Sequence, residues 1–130
     1  MKSFQSLHRG FSLVEVLAAI AIIGIITFLA LPNIVRVKED SERTLAVARA
    51  EALNMAMASY MQANGPTTAA ANWTAASTSS ARYLLIAQYL AFAPPTLDVY
   101  MPGGYSATLP TSLVPLTKTT LAGPDGGIGY

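Results

Sequence analysis

The chain has 130 residues, a formal charge of +1 and no cysteine. Part of that length is membrane-type apolar sequence, so only one small globular domain is possible, and the missing thiols exclude a disulfide scaffold and any cysteine-based metal site or nucleophile. Beyond Arg49 the only basic side chains are Arg82 and Lys118, too few for the phosphate-neutralising surface of a nucleic-acid binder.

In chain order, a short leader with Lys2, His8 and Arg9 precedes an apolar run. Between Gly10 and Arg36 the only ionisable side chain is Glu15, and Phe11 to Leu31 gives about 21 mostly apolar residues, roughly 32 Å as helix and enough to cross a bilayer. The run is too long for a secretory signal and has no small-residue cleavage site behind it, since LALPNIVRVKED leads straight into a helical pattern. An ordinary membrane anchor explains the length but not Glu15, because an intramembrane carboxylate is costly and implies a partner. A charge tolerated near headgroup depth by the positive end of the helix dipole is the plainer alternative. Counting basic residues leaves orientation open, because Lys2 and Arg9 flank one end and Arg36, Lys38 and Arg43 the other.

The leader, Gly10, Phe11, Ser12, Leu13, Val14, Glu15 and the following Ala, Ile and Leu run together resemble the N-terminus of type IV pilins and type II secretion pseudopilins. The resemblance covers about the first third of the chain. It implies a pilin-like α+β fold, with a long N-terminal helix packed against a small C-terminal domain of one short helix and an antiparallel sheet. It also implies that a prepilin peptidase removes residues 1–10, cutting between Gly10 and Phe11 and methylating the new amine on Phe11. Glu15 then gains a partner, because the amine of a neighbouring subunit meets it in a low-dielectric setting, where opposite charges attract more strongly than in water. The proline at 32 lacks a backbone donor and crowds the carbonyl of Phe28, so a kink or loosening is expected there. In filaments of this family the stretch between a glycine and a proline placed like Gly24 and Pro32 can lose helical order; close helix packing is the other use of Gly24.

Residues 11–32 are thus expected to form the membrane and filament-core half of one helix, and residues 33–64 its amphipathic half. A stripe of Ile34, Val37, Leu45, Ala48, Leu53 or Ala52, Ala56 or Met57, Tyr60 and Met61 faces the core, and Asn64, Gly65 and Pro66 end the helix. Met55, Met57 and Met61 are read as packing residues. Residues 65–130 form the small domain. Within it, Thr67 to Ser80 reads as an exposed loop, with Trp73 available to pin it to the helix. Ala81 to Ala91 reads as a short helix capped by Ser79 or Ser80. TLDVYM and YSATL read as a hairpin around Pro102-Gly103-Gly104, TSLVPLTKTT as a further strand, and AGPDGGIGY as a turn-prone tail anchored by Tyr130.

No residue set supports catalysis, and no cofactor is expected: His8 lies in the leader, and Asp98 and Asp125 are the only carboxylates after Glu51. The resemblance to major pseudopilins raises calcium at Asp98 and Asp125, Asp125 being the better placed, although two acids are a thin donor set for an ion that takes six to eight oxygens. The expected function is that of a filament subunit held in the bacterial inner membrane. Its N-terminus is cytoplasmic and its small domain periplasmic. Its partners are further copies, prepilin peptidase, the inner-membrane assembly platform, minor pseudopilins, and membrane lipid before assembly. Many adhesive or motility pilins close a C-terminal loop with a disulfide, so the lack of cysteine leans toward a pseudopilin. The competing class is a minor, tip-located pilin or anchored binding module that recognises a surface, DNA or a secreted protein.

Overall fold

A computed structural model describes residues 10–130; the leader residues Lys2, His8 and Arg9 lie outside the described part. The fold is α+β: a long N-terminal helix, α1 (Leu13–Asn64), then α2 (Pro66–Ala75), α3 (Ser79–Ile86), a 3-10 turn (Ala87–Tyr89), α4 (Leu97–Tyr100), and strands β1 (Ser106–Thr108), β2 (Thr120–Gly123) and β3 (Gly126–Ile128). The chain divides into two compact units, Met1–Glu39 and Asp40–Tyr130.

In the first unit the described residues 13–39 belong to α1. This helix is long and apolar enough to cross a membrane, with a mean hydropathy of 2.7 in its most apolar stretch and none of that stretch buried. Its one hydroxyl in this region is satisfied locally, since Thr27 donates to the Ile23 carbonyl at 2.7 Å, which lets a polar side chain sit on an apolar helix at little cost. The expected loosening at Pro32 does not interrupt the helix. Proline forfeits one backbone bond there, a local loss that the continuous hydrogen-bond ladder before and after it absorbs.

The second unit is organised around the later part of α1. Ala46, Ala50, Leu53, Ala56, Met57 and Tyr60 are buried at alternating steps of three and four, with one extra position at Ala56, which is the inward stripe of an amphipathic helix. The stripe differs from the one expected at its start. Leu45 and Ala48 are exposed, and Ala46 and Ala50 replace them inside. Small alanines on the inner face let the other elements approach α1 closely, and this outweighs the hydrophobicity of Leu45 next door. Ile34 and Val37 lie in the first unit and are exposed. Met57 is buried and Met61 packs at the core margin, but Met55 faces solvent.

Thr67 to Ser80 is not an exposed loop, because most of it is α2. Gly65 turns the chain with a positive φ of 78° and Pro66 occupies the start of the new helix, a position that does not need its missing N–H. The small residues that suggest a loop include three consecutive alanines, which are good helix formers. Burial decides the outcome. Ala69 and Trp73 are fully buried, and Trp73 Nε1 donates to the Pro110 carbonyl at 2.8 Å while its ring lies 6.3 Å from that of Tyr60. Trp73 thus ties α2 to α1 and to the chain after β1.

The next helix is α3, whose cap is Thr78 rather than Ser79 or Ser80: the Thr78 hydroxyl accepts from the Ala81 N–H at 3.1 Å. It ends at Ile86 and tightens into the 3-10 turn, short of the expected Ala91. TLDVYM is not a strand, since Thr96 caps the helical turn α4 by accepting from the Val99 N–H. β1 therefore pairs with β2 instead, through Ser106 with Ala122, Ala107 with Leu121 and Thr108 with Thr120. TSLVPLTKTT contributes only its last residue to a strand, and the turn-prone tail holds the β2–β3 hairpin, with Leu121 opposite Ile128 and Gly123 opposite Gly126. A Cβ on Gly123 would meet Tyr105 and Ile128 side chains at 2.9 Å, so only glycine lets those two pack over the strand.

Replacing Trp73 by alanine removes the largest fully buried side chain and strands the Pro110 carbonyl. The expected cost is about 3–5 kcal/mol, read as a lowered midpoint of thermal unfolding by far-UV circular dichroism. A Trp73→Phe variant, which keeps most of the ring, should lose clearly less.

Candidate functional site

Gly10, Phe11, Ser12 and Glu15 stand at the head of α1. Ser12 caps it: its hydroxyl accepts from the Glu15 N–H at 3.2 Å, and its carbonyl accepts from the Val16 N–H at 3.2 Å. Cap and first-turn acid are spaced Ser-x-x-Glu, a recognisable start signal that also sets the carboxylate against the positive end of the helix. Helix start and first-turn carboxylate are therefore read from the same four residues. Glu15 is exposed, on one face with Phe11, Ala19 and Ile20, where the four and Val16 line a shallow apolar groove. Phe11 is 88% exposed.

Among the described residues nothing crowds the two glycines of the segment. A Cβ at Gly10 or at Gly24 would meet nothing within 4 Å, and neither has a positive φ. A glycine inside a helix nevertheless costs about 1 kcal/mol relative to alanine, so the fold of this chain alone gives no reason for Gly24.

The two expected carboxylates lie on different elements. Asp98 sits in the first turn of α4 and Asp125 in the turn between β2 and β3, both exposed. Among the described residues no three His, Cys, Asp or Glu side chains come together as a metal group. Asp125 shares a small pocket with Arg43, Tyr105 and the glycines of the hairpin.

A polar clasp joins residues far apart in sequence. Tyr130 donates its hydroxyl to the Thr119 carbonyl and accepts from Asn54 Nδ2 at 3.2 Å, while Asn54 Oδ1 accepts from the Thr119 N–H at 2.8 Å. Lys118 lies over the Tyr130 ring, 4.9 Å from its centre, and 3.6 Å from Glu51, but both charged groups are about half exposed and the ion pair contributes little. The anchoring role expected for Tyr130 is thus made by hydrogen bonds to α1 and to the edge of β2, as well as by packing. Burial pushes the Tyr130 phenol above its ordinary value of 10.0, with the Glu51 carboxylate adding to the rise and the Asn54 hydrogen bond opposing it. Burial likewise raises Tyr83, whose hydroxyl donates to the Pro94 carbonyl, and Tyr100, beside Arg49.

Residues 6–31 match the family model for the prokaryotic N-terminal methylation motif. The match supports a type IV pilin or pseudopilin assignment, a structural class of protein, and its boundaries enclose Gly10, Phe11, Glu15 and Gly24 but stop one residue short of Pro32. A motif of this type implies processing by prepilin peptidase and assembly of the pilin kind, and the apolar helix fits membrane anchoring. No curated protein and no solved structure matches the chain.

The tyrosines set an alkaline limit on the second unit. A phenol whose pKa is higher folded than unfolded contributes stability that is complete below pH 10 and is lost as pH rises through the folded value. Unfolding followed by circular dichroism should therefore begin above pH 10. In Tyr130→Phe the neutral-pH stability should fall by about 1–2 kcal/mol, from the clasp hydrogen bonds, and the alkaline loss should be shallower than in the parent.

Proposed function

We propose that this protein is a structural subunit of a type IV pilus-like or type II secretion pseudopilus filament. It is stored in the bacterial inner membrane by α1, with its N-terminus cytoplasmic and its small domain periplasmic. Prepilin peptidase cuts between Gly10 and Phe11, and the Phe11 amine is methylated. Copies then assemble through their N-terminal helices on an inner-membrane platform, alongside minor pseudopilins. The absence of cysteine favours the pseudopilus over a pilus whose subunits close a disulfide loop.

The observation that carries this reading is a helix with every residue from 13 to 29 exposed, and a single carboxylate in its first turn directly after a Gly-Phe junction. Bilayer lipid covers such a surface in the stored state, and neighbouring helices cover it in the filament. Gly24, useless inside the chain, is then where another helix comes close. Glu15 answers the amine that cleavage creates on the next copy. At about 4 Å and an effective dielectric near 20 such a pair is worth about 4 kcal/mol, against about 1 kcal/mol in water, so the pairing matters only once both charges have left water.

Two measurements check the proposal. Intact-mass analysis of protein extracted from membranes should show a chain that begins at Phe11 and carries one extra methyl group; a chain retaining Met1 to Gly10 contradicts it. Glu15→Ala should fold and insert normally yet lower filament yield by about tenfold or more, the loss expected when a desolvated charge is left without its partner. Normal filaments from that variant contradict the pairing.

A further inference from the structure

The apolar half of α1 ends in a notch whose polar residues, Asn33 and Arg36, the filament reading does not use. Leu29, Pro32, Asn33 and Arg36 line a concave spot on the helix, and all four are exposed. Asn33 and Arg36 are three residues apart and so project from one face. Pro32 has no N–H to give the Phe28 carbonyl one turn earlier. Among the described residues Arg36 makes no ion pair or hydrogen bond.

Its depth follows from helix geometry. If Phe11 to Leu31 fills the hydrocarbon, Arg36 lies five residues further on, about 7.5 Å beyond the apolar boundary. The headgroup layer on each side of a bilayer is about 5–7.5 Å thick, so the Arg36 backbone stands at its outer edge, and a helical side chain, tilted back toward the helix N-terminus, returns the guanidinium to the level of the lipid phosphates. Leu29 remains against the acyl chains below it. A guanidinium presents a planar fork of donors that matches a phosphate, and Asn33 adds an amide donor beside it. Charge and depth together point to one occupant.

We propose that Asn33 and Arg36 form a site for the phosphate of an anionic phospholipid, such as phosphatidylglycerol, in the leaflet reached by the C-terminal end of the apolar segment. The inference rests on the membrane-stored state proposed above. It assigns the notch a ligand in that state. The site holds the subunit at a fixed depth until assembly withdraws the helix from lipid.

Because the chain has no cysteine, one can be introduced uniquely. Full-length protein carrying Val35→Cys with a fluorophore is reconstituted into phosphatidylcholine vesicles containing phosphatidylglycerol, and either lipid is supplied with brominated chains as quencher. One basic residue near an anionic surface is worth about a factor of five in affinity. Brominated phosphatidylglycerol should therefore quench with at least about fivefold preference over brominated phosphatidylcholine. In Arg36→Ala the preference should fall by about fivefold, and in Arg36→Lys it should survive in part. Asn33→Ala should weaken it with no change of charge, a loss that general attraction to the anionic surface does not produce. Equal quenching by the two lipids in the parent protein overturns the proposal, as does an unchanged preference in Arg36→Ala. Loss of the preference on adding excess inorganic phosphate, with vesicle charge and ionic strength matched, overturns the lipid assignment in favour of a soluble anion. A fluorophore on Ile22→Cys reports the reading beneath: quenching there without preference at Val35→Cys sinks the lipid site alone, whereas no quenching by either lipid at Ile22→Cys sinks both.

Discussion

The structure depends on one constraint: an apolar helix surface that its own chain does not cover. Large aliphatic side chains from Leu13 to Leu31 are about half to three-quarters exposed, and each aliphatic side chain moved out of water is worth about 1.5–3 kcal/mol. A surface of that size cannot stay in water as a monomer. Lipid is one cover and a second copy is another; in the function proposed above the two succeed each other, and the pilin-type motif at residues 6–31 supports that class of protein. Nearly every other feature of the segment fits that exchange: a glycine with open space around it, one internally bonded threonine, and one carboxylate placed beside the cap.

The second unit answers the opposite problem. Its core is closed only with the inward stripe of α1. Ala46 and Ala50 permit close approach, Leu53 and Met57 fill the centre, and Tyr60 meets the rings of Trp73 and Tyr89. The clasp of Asn54, Thr119 and Tyr130 fixes the sheet to the same helix with directional bonds. One helix thus carries an uncovered apolar surface and, in its later turns, six of the seventeen buried core side chains among the described residues.

Much of this is legible in the residues. The apolar length, the lone Glu15 and the Gly10-Phe11 junction identify the class, and Asn64-Gly65-Pro66 ends α1 where the structure ends it. Other parts are hidden for definite reasons. A run such as TTAAANWTA has little hydrophobic periodicity, and only the burial of Trp73 against distant Pro110 and Tyr60 reveals it as a helix. The segment 96–101 alternates like a strand, but the Thr96 cap and the burial of Leu97 and Tyr100, three residues apart, fit a helical turn. The register of α1 turns on choosing alanine over leucine for the inner face, which hydrophobicity alone ranks the wrong way. Asn54 and Tyr130 meet across 76 positions, and no local pattern announces such a pair. At the site itself, the Ser12-x-x-Glu15 start signal is present in the sequence but overshadowed by the charge of Glu15.

In this picture the apolar face of α1 is never left to water, either in the membrane or in an assembly. A single cysteine at Ile25, on that face, tests it through its reaction with a membrane-impermeant maleimide, compared with one at Val99 on the exposed surface of the second unit. The thiol at position 25 should stay unreactive in intact membranes and in any filament recovered, while the one at position 99 labels readily once the reagent reaches its side of the membrane. Labelling of both at similar rates in either setting would contradict it.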